Sequence, residues 1–93
     1  MISTKSLKCK ITPIIYYEKE LQFKKGSAGK KWNLVNCPFH PDKSPSLSIN
    51  MESGGYFCHA CGEKGGDIIA FEMKLHSLSF PAALKKLEIQ YLR

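Results

Sequence analysis

The sequence predicts a small α+β domain in which an antiparallel sheet carries two close Cys/His pairs and is followed by two C-terminal helices. Three observations predict it. Cys37-Pro38-Phe39-His40 is a C-x2-H pair and Cys58-His59-Ala60-Cys61 a C-x2-C pair, with seventeen residues between His40 and Cys58. Leu47, Ile49 and Met51 alternate with Ser46, Ser48 and Asn50, the period of a half-buried strand. Asp67 and Ser79 each precede apolar residues spaced by three and four, the pattern of a capped amphipathic helix.

Residues 1–20 read as a basic, partly flexible segment in which Thr12-Pro13 starts a short turn of helix through Ile14 to Tyr17. Residues 21–93 form the domain proper. Leu21-Gln22-Phe23 and Trp32-Asn33-Leu34-Val35 have strand composition, and Lys24 to Lys31, with Gly26, Ser27 and Gly29, makes the turn of a first hairpin. Lys30-Lys31 after Gly29 is not a phosphate loop, because the G-x4-G-K-[ST] spacing is absent. Glu52-Ser53-Gly54-Gly55 turns the chain after the third strand, and Tyr56-Phe57 leads the return into Cys58. A helix from Asp67 to about Leu75 presents Ile68, Phe71 and Leu75 on one face. A second, capped by Ser79 with Pro81 in its first turn, has the stripe Phe80, Leu84, Leu87, Tyr91.

The two pairs carry the chemistry. A tight knuckle lets both side chains of a pair face one ion, and a hairpin between the pairs brings four ligands together. Thiolate and imidazole in this mixture suit zinc, whose filled d shell imposes no geometry of its own. Cys37, His40, Cys58 and Cys61 are therefore the expected ligands of one structural Zn2+, and the fold is a zinc ribbon. With all four positions filled by protein, no site is left for an activated water. A redox role for Cys58 and Cys61 would need a helix to open at the motif, and Gly62, Gly65 and Gly66 oppose one there. Cys9 has no nearby paired ligand and is left out of the site.

Size and charge agree with this reading. A chain of 93 residues buries only about 60–65 % of its unfolded surface, so a metal is a natural supplement to its core. No apolar run approaches the ~20 residues of a membrane span, and the first residues lack a signal-peptide pattern. A cytoplasmic location and no membrane partner are expected. The net charge of +6 is uneven: residues 1–36 hold eight lysines against Glu18 and Glu20, whereas the remainder is neutral. Such asymmetry suits a polyanionic partner, and equally a solvated lysine-rich face.

Two strings carry a family resemblance. Cys37-Pro38-Phe39-His40-Pro41-Asp42-Lys43-Ser44-Pro45-Ser46-Leu47 and Tyr56-Phe57-Cys58-His59-Ala60-Cys61-Gly62-Glu63-Lys64-Gly65-Gly66-Asp67-Ile68-Ile69-Ala70-Phe71 resemble the two knuckles and first helix of the N-terminal zinc-binding domain of bacterial DnaG-type DNA primases. Phe80, Ala83 and Leu84 are similar to its closing Phe-x-x-Ala-Leu pattern. The resemblance covers about Leu21 to Leu87. It implies the same four zinc ligands and a role in engaging single-stranded template DNA, so that a catalytic module starts an RNA primer.

In that family a separate domain with an acidic metal-binding cluster transfers nucleotides. Here Asp42, Glu52, Glu63, Asp67, Glu72 and Glu88 are scattered singly, so the chain alone is expected to synthesise nothing. Met1 as a start and a helix running to the end favour a stand-alone module over a fragment. For DNA the candidates are Lys24, Lys25, Lys30, Lys31, Trp32, Lys43, Tyr56 and Lys64, cations beside aromatic rings as a single strand requires. Phe39 and Phe57 are assigned to the core, and His59 and His76 to the surface. The expected partners are single-stranded DNA and a primase catalytic domain, replicative helicase or polymerase. Two other functions remain open: a DNA-binding adaptor or regulator of a mobile element, and a protein-docking module.

Overall fold

A computed structural model of the chain describes residues 4–21, 31–41 and 43–92. Helices α1 (Thr4–Lys10) and α2 (Pro13–Leu21) come first. Strands β1 (Trp32–Val35), β2 (Leu47–Asn50), β3 (Tyr56–Cys58) and β4 (Lys64–Gly65) follow, and then helices α3 (Ile68–His76) and α4 (Phe80–Leu92). The strands form one antiparallel sheet in the order β1-β2-β3-β4. One core joins the inner face of this sheet to all four helices.

The N-terminal segment departs from the sequence expectation. Over Thr4–Leu21 it forms two helices where a single short turn was expected. Leu7 and Ile11, four residues apart, are buried, as are Tyr16 and Tyr17. The dense lysines disguised this narrow apolar stripe. The break between the helices has the expected chemistry: the Thr12 hydroxyl caps α2, accepting from the Ile15 N–H at 3.3 Å, and Pro13 fills the first helical position, where no N–H is needed.

The expected first hairpin is also revised. Leu21 ends α2 instead of opening a strand, while Gln22, Phe23 and the proposed turn through Lys30 lie outside the described residues. The described partner of β1 is β2, with Trp32 opposite Asn50 and Val35 opposite Leu47. Asn50 then closes the β2–β3 turn by accepting the N–H groups of Glu52 and Ser53 at 2.8 and 2.9 Å. At Gly65 a side chain has no room: a Cβ there would lie 2.6 Å from the Tyr56 ring.

Both C-terminal helices start where their caps predict. Asp67 accepts the Ala70 N–H at 2.8 Å, and Ser79 accepts the Ala82 N–H at 3.3 Å. Phe71 of α3 is the centre of the core, with the rings of Tyr17, Phe39 and Tyr56 at 5.0, 5.2 and 4.9 Å. The buried stripe of α4 is Ala83, Leu84 and Leu87, with Tyr91 partly buried; Phe80, expected in it, is exposed.

Among the described residues one acidic side chain lies inside. Glu72 is fully buried, accepting from the Tyr16 hydroxyl at 2.7 Å and the Lys86 ammonium at 2.8 Å. His76 lies 3.1 Å from Glu20, which also accepts from Tyr91 at 3.0 Å, so this network ties α2, α3 and α4 together. Burial and the neighbouring Glu72 both raise the pKa of Tyr16, keeping its hydroxyl a donor.

Docking of α1 is testable. Leu7→Ala should cost about 2–5 kcal/mol in denaturant unfolding of the zinc-loaded protein. Lys5→Ala, on the exposed face of the same helix, should change stability by no more than about 0.5 kcal/mol.

Candidate metal centre and nucleic-acid interface

The first Cys/His pair follows β1, and the second begins at the last residue of β3. Strand pairing sets Leu47 beside both Val35 and Cys58, so β2 bridges the two knuckles. Within each knuckle the backbone folds back onto its own sulfur. The Phe39 N–H donates to Cys37 Sγ and the Cys61 N–H to Cys58 Sγ, both at 3.4 Å. Gly62 adopts φ +82°, a conformation that favours glycine, and its N–H reaches the Cys58 carbonyl at 3.0 Å to close the second knuckle.

The four expected ligands converge. Cys37, His40, Cys58 and Cys61 bring their ligand atoms within 4.8 Å of one another. Cys37 Sγ and Cys61 Sγ are 3.9 Å apart, and His40 Nε2 is 3.4 Å from Cys58 Sγ. A tetrahedral zinc with the usual bond lengths separates such atoms by about 3.5–3.8 Å, whereas a disulfide needs about 2.0 Å. The donor set and its spacing fit zinc.

Outer contacts prepare these atoms for a cation. His40 Nδ1 lies 2.7 Å from the Pro41 carbonyl oxygen, to which only an N–H can donate. The proton therefore sits on Nδ1, and Nε2 directs its lone pair towards the sulfurs. Cys58 is prepared to ionise. Burial opposes its thiolate, but the Cys61 N–H, the Ser46 hydroxyl at 3.4 Å and the Ala60 N–H donate to it and, with the His40 ring beside it, bring the thiol down to about 5. Cys37 goes the other way: burial pushes it up to about 12, only partly countered by the Phe39 N–H. A bound cation supplies the charge that holds all three sulfurs as thiolates.

The described residues bring together a second cluster of potential ligands, Glu20, Glu72 and His76. Its oxygens already serve Lys86, Tyr16, Tyr91 and Gln90, which makes it an internal ion-pair network. Cys9 stands exposed on α1, away from the four ligands, as expected.

The nucleic-acid candidates divide. Lys24, Lys25 and Lys30 lie outside the described residues. Lys31 is exposed and pairs with Glu52 at 3.1 Å, and Lys43 is exposed after the first knuckle. Trp32 is 49 % exposed, as a stacking platform requires. Tyr56 is a correction: it is 5 % exposed, with its ring 4.9 Å from Phe71, so it has no face for a base. It shares the strand face of Cys58, and that face is the core side. Phe57 is the reverse correction. Expected in the core, it is 40 % exposed because strand alternation places it opposite Tyr56 and Cys58. The parity of β3 was the signal that could have found it.

Across the outer face of the sheet, Leu34, Ser48, Phe57 and Lys64 form one cross-strand row. Trp32 lies two residues before Leu34 on β1, and Lys64 is exposed opposite Phe57. This puts two aromatic side chains and a cation on a surface backed by the core.

Comparison with known proteins assigns the family. Residues 2–92 match the CHC2 zinc finger. The chain belongs to that family. It is 37 % identical over 81 residues to the DNA primase of Borreliella burgdorferi, a match covering 86 % of this chain and 14 % of the relative. It is 49 % identical over 54 residues to the DNA primase of Helicobacter pylori, covering 58 % of this chain and 10 % of the relative. The crystal structure of the Aquifex aeolicus primase, comprising zinc binding and RNA polymerase domains, matches with a TM-score of 0.70 at 25 % identity. That match covers 97 % of this chain and 22 % of the solved one. The chain thus spans only a small part of the primases it matches. Its fold is that of the primase zinc-binding domain, and family and cluster together give it one structural zinc.

Because such a zinc contributes folding energy on the order of 10 kcal/mol, a strong chelator should unfold the chain, read as loss of its circular dichroism signal. His40→Ala and Cys58→Ser should each reduce bound zinc below one per chain by metal analysis, while Cys9→Ser keeps it.

Proposed function

We propose that this chain is the zinc-stabilised module by which a DNA primase engages its single-stranded template in support of RNA primer synthesis. Cys37, His40, Cys58 and Cys61 hold the metal in this reading, and the outer face of the sheet holds the strand. The supporting observation is that Phe57 is exposed beside Lys64, and Trp32 is exposed on the edge strand at the other side of the same sheet, whose inner face packs on the core.

Exposed aromatic rings on a rigid sheet are a liability for solubility unless something stacks on them. Bases do so without regard to sequence, at ~1–3 kcal/mol each, while lysines track the phosphates and set the salt dependence. Lys31 and Lys43 are further exposed cations, the first shared with Glu52, and Lys24, Lys25 and Lys30 add charge ahead of β1 in the sequence. Nucleotide transfer belongs to a primase catalytic domain, with a replicative helicase or polymerase as further partner, all in the cytoplasm. The metal holds the ribbon together and leaves the chemistry of transfer to that partner.

Trp32 is the single tryptophan, so stacking has its own optical signal. Titrating the zinc-loaded protein with a single-stranded oligonucleotide should quench its fluorescence, and log affinity should fall linearly with log salt. Trp32→Ala and Phe57→Ala should each weaken binding by ~1–3 kcal/mol, measured by anisotropy of a labelled strand. No detectable binding at low salt would sink this reading. Retained binding without stimulation of a primase catalytic domain would instead mark an adaptor.

A further inference from the structure

The outer row of the sheet contains a polar pair that a sequence-blind stacking surface does not need. Ser48 lies between Leu34 and Phe57 in the strand register. Its Oγ is 2.8 Å from Nε2 of His59, an exposed residue inside the second knuckle. The His59 ring stands 5.0 Å from the Phe57 ring, with 69° between their planes. Its backbone is held as well, since the His59 N–H donates to the Ser46 carbonyl at 2.8 Å.

The imidazole is thus an upright ring beside a flat aromatic one, located by the knuckle behind it and the hydroxyl at its side. An exposed Ser–His hydrogen bond contributes little to stability, because water competes for both groups. What it does set is the role of the other nitrogen. When the Ser48 hydroxyl donates to Nε2, Nδ1 carries the proton and is a donor; when the hydroxyl accepts, Nδ1 is an acceptor. Nδ1 has no hydrogen-bond partner among the described residues. On the other side of Phe57, across β4, Lys64 offers only a point charge, which suits a phosphate and carries no base information.

A base lying on Phe57 is wider than the phenyl ring and carries its donors and acceptors on its edge. We propose that His59, oriented by Ser48, hydrogen-bonds the edge of the base that stacks on Phe57 and so gives this face a preference among bases. The proposal rests on the reading of the outer sheet face as a single-strand site. It assigns Phe57 the sequence-tolerant part of the contact and His59 the discriminating part.

The test measures affinities of the zinc-loaded protein for oligo-dT, oligo-dC and oligo-dA of equal length at one salt concentration. The wild type should rank them with a spread of about fivefold, the worth of one net hydrogen bond. His59→Phe keeps an aromatic ring and should bind all three with that spread collapsed. Ser48→Ala, which leaves the knuckle sequence intact, should also narrow it and serves should His59→Phe fail to hold zinc. An equal affinity of the wild type for all three, or an unchanged ratio in a zinc-replete variant, overturns the proposal. Failure of the underlying reading looks different: Trp32→Ala and Phe57→Ala would then bind single strands as tightly as the wild type.

Discussion

Four side chains on two distant turns have to reach one cation, and the sheet depends on that requirement. A ribbon of four strands, none longer than four residues, has too few ladder hydrogen bonds to hold its own register. The knuckles supply the missing constraint. Cys37 follows β1, Cys58 ends β3, and Leu47 of β2 pairs with residues from both strands. Sliding β1 or β3 by one residue would turn inward side chains outward and pull the following knuckle away from the site. Backbone N–H groups aimed at the sulfurs, and the Pro41 carbonyl that sets the His40 tautomer, prepare the geometry that the metal then locks.

The same register divides the sheet into a packed and an open face. Cys58 must point inward, so Tyr56 points inward with it and completes the aromatic cluster around Phe71. Phe57 then has to point outward, opposite Ser48 on one side and Lys64 on the other. A zinc site on one face of a strand and an exposed aromatic on the other are thus two results of one alternation. In the proposed single-strand reading, the metal-fixed register would matter to the outer surface as well, since a stacking platform works only if its rings are already in place when the ligand arrives.

The helices close the inner face with unequal means. Leu7, Ile11, Tyr17, Phe71 and Leu87 bring apolar bulk, whereas Glu72 brings a buried carboxylate whose desolvation has to be offset. Lys86 and the Tyr16 hydroxyl provide that offset from two other helices, which makes the pair specific about how α2, α3 and α4 meet. A purely apolar contact would tolerate sliding there; a charge with fixed partners does not.

Short-range chemistry was legible in the sequence itself. The ligand pairs, the caps Thr12, Asp67 and Ser79, and the alternation along β2 act over three or four residues, and their geometry follows from residue type and spacing. Ninety-three residues with too small a core and two metal-binding pairs thereby determined a zinc ribbon with two C-terminal helices. Which face of β3 meets the core, how α1 and α2 pack, and where Glu72 finds its partners were decided only by tertiary structure. Each depends on residues far apart in the chain: Tyr16 reaches Glu72 and Tyr17 reaches the Gly54 carbonyl across 56 and 37 positions. Lysine density hid Leu7 and Ile11, while the alternation along β3 set Phe57 apart from Tyr56 and Cys58 without saying which side meets the core.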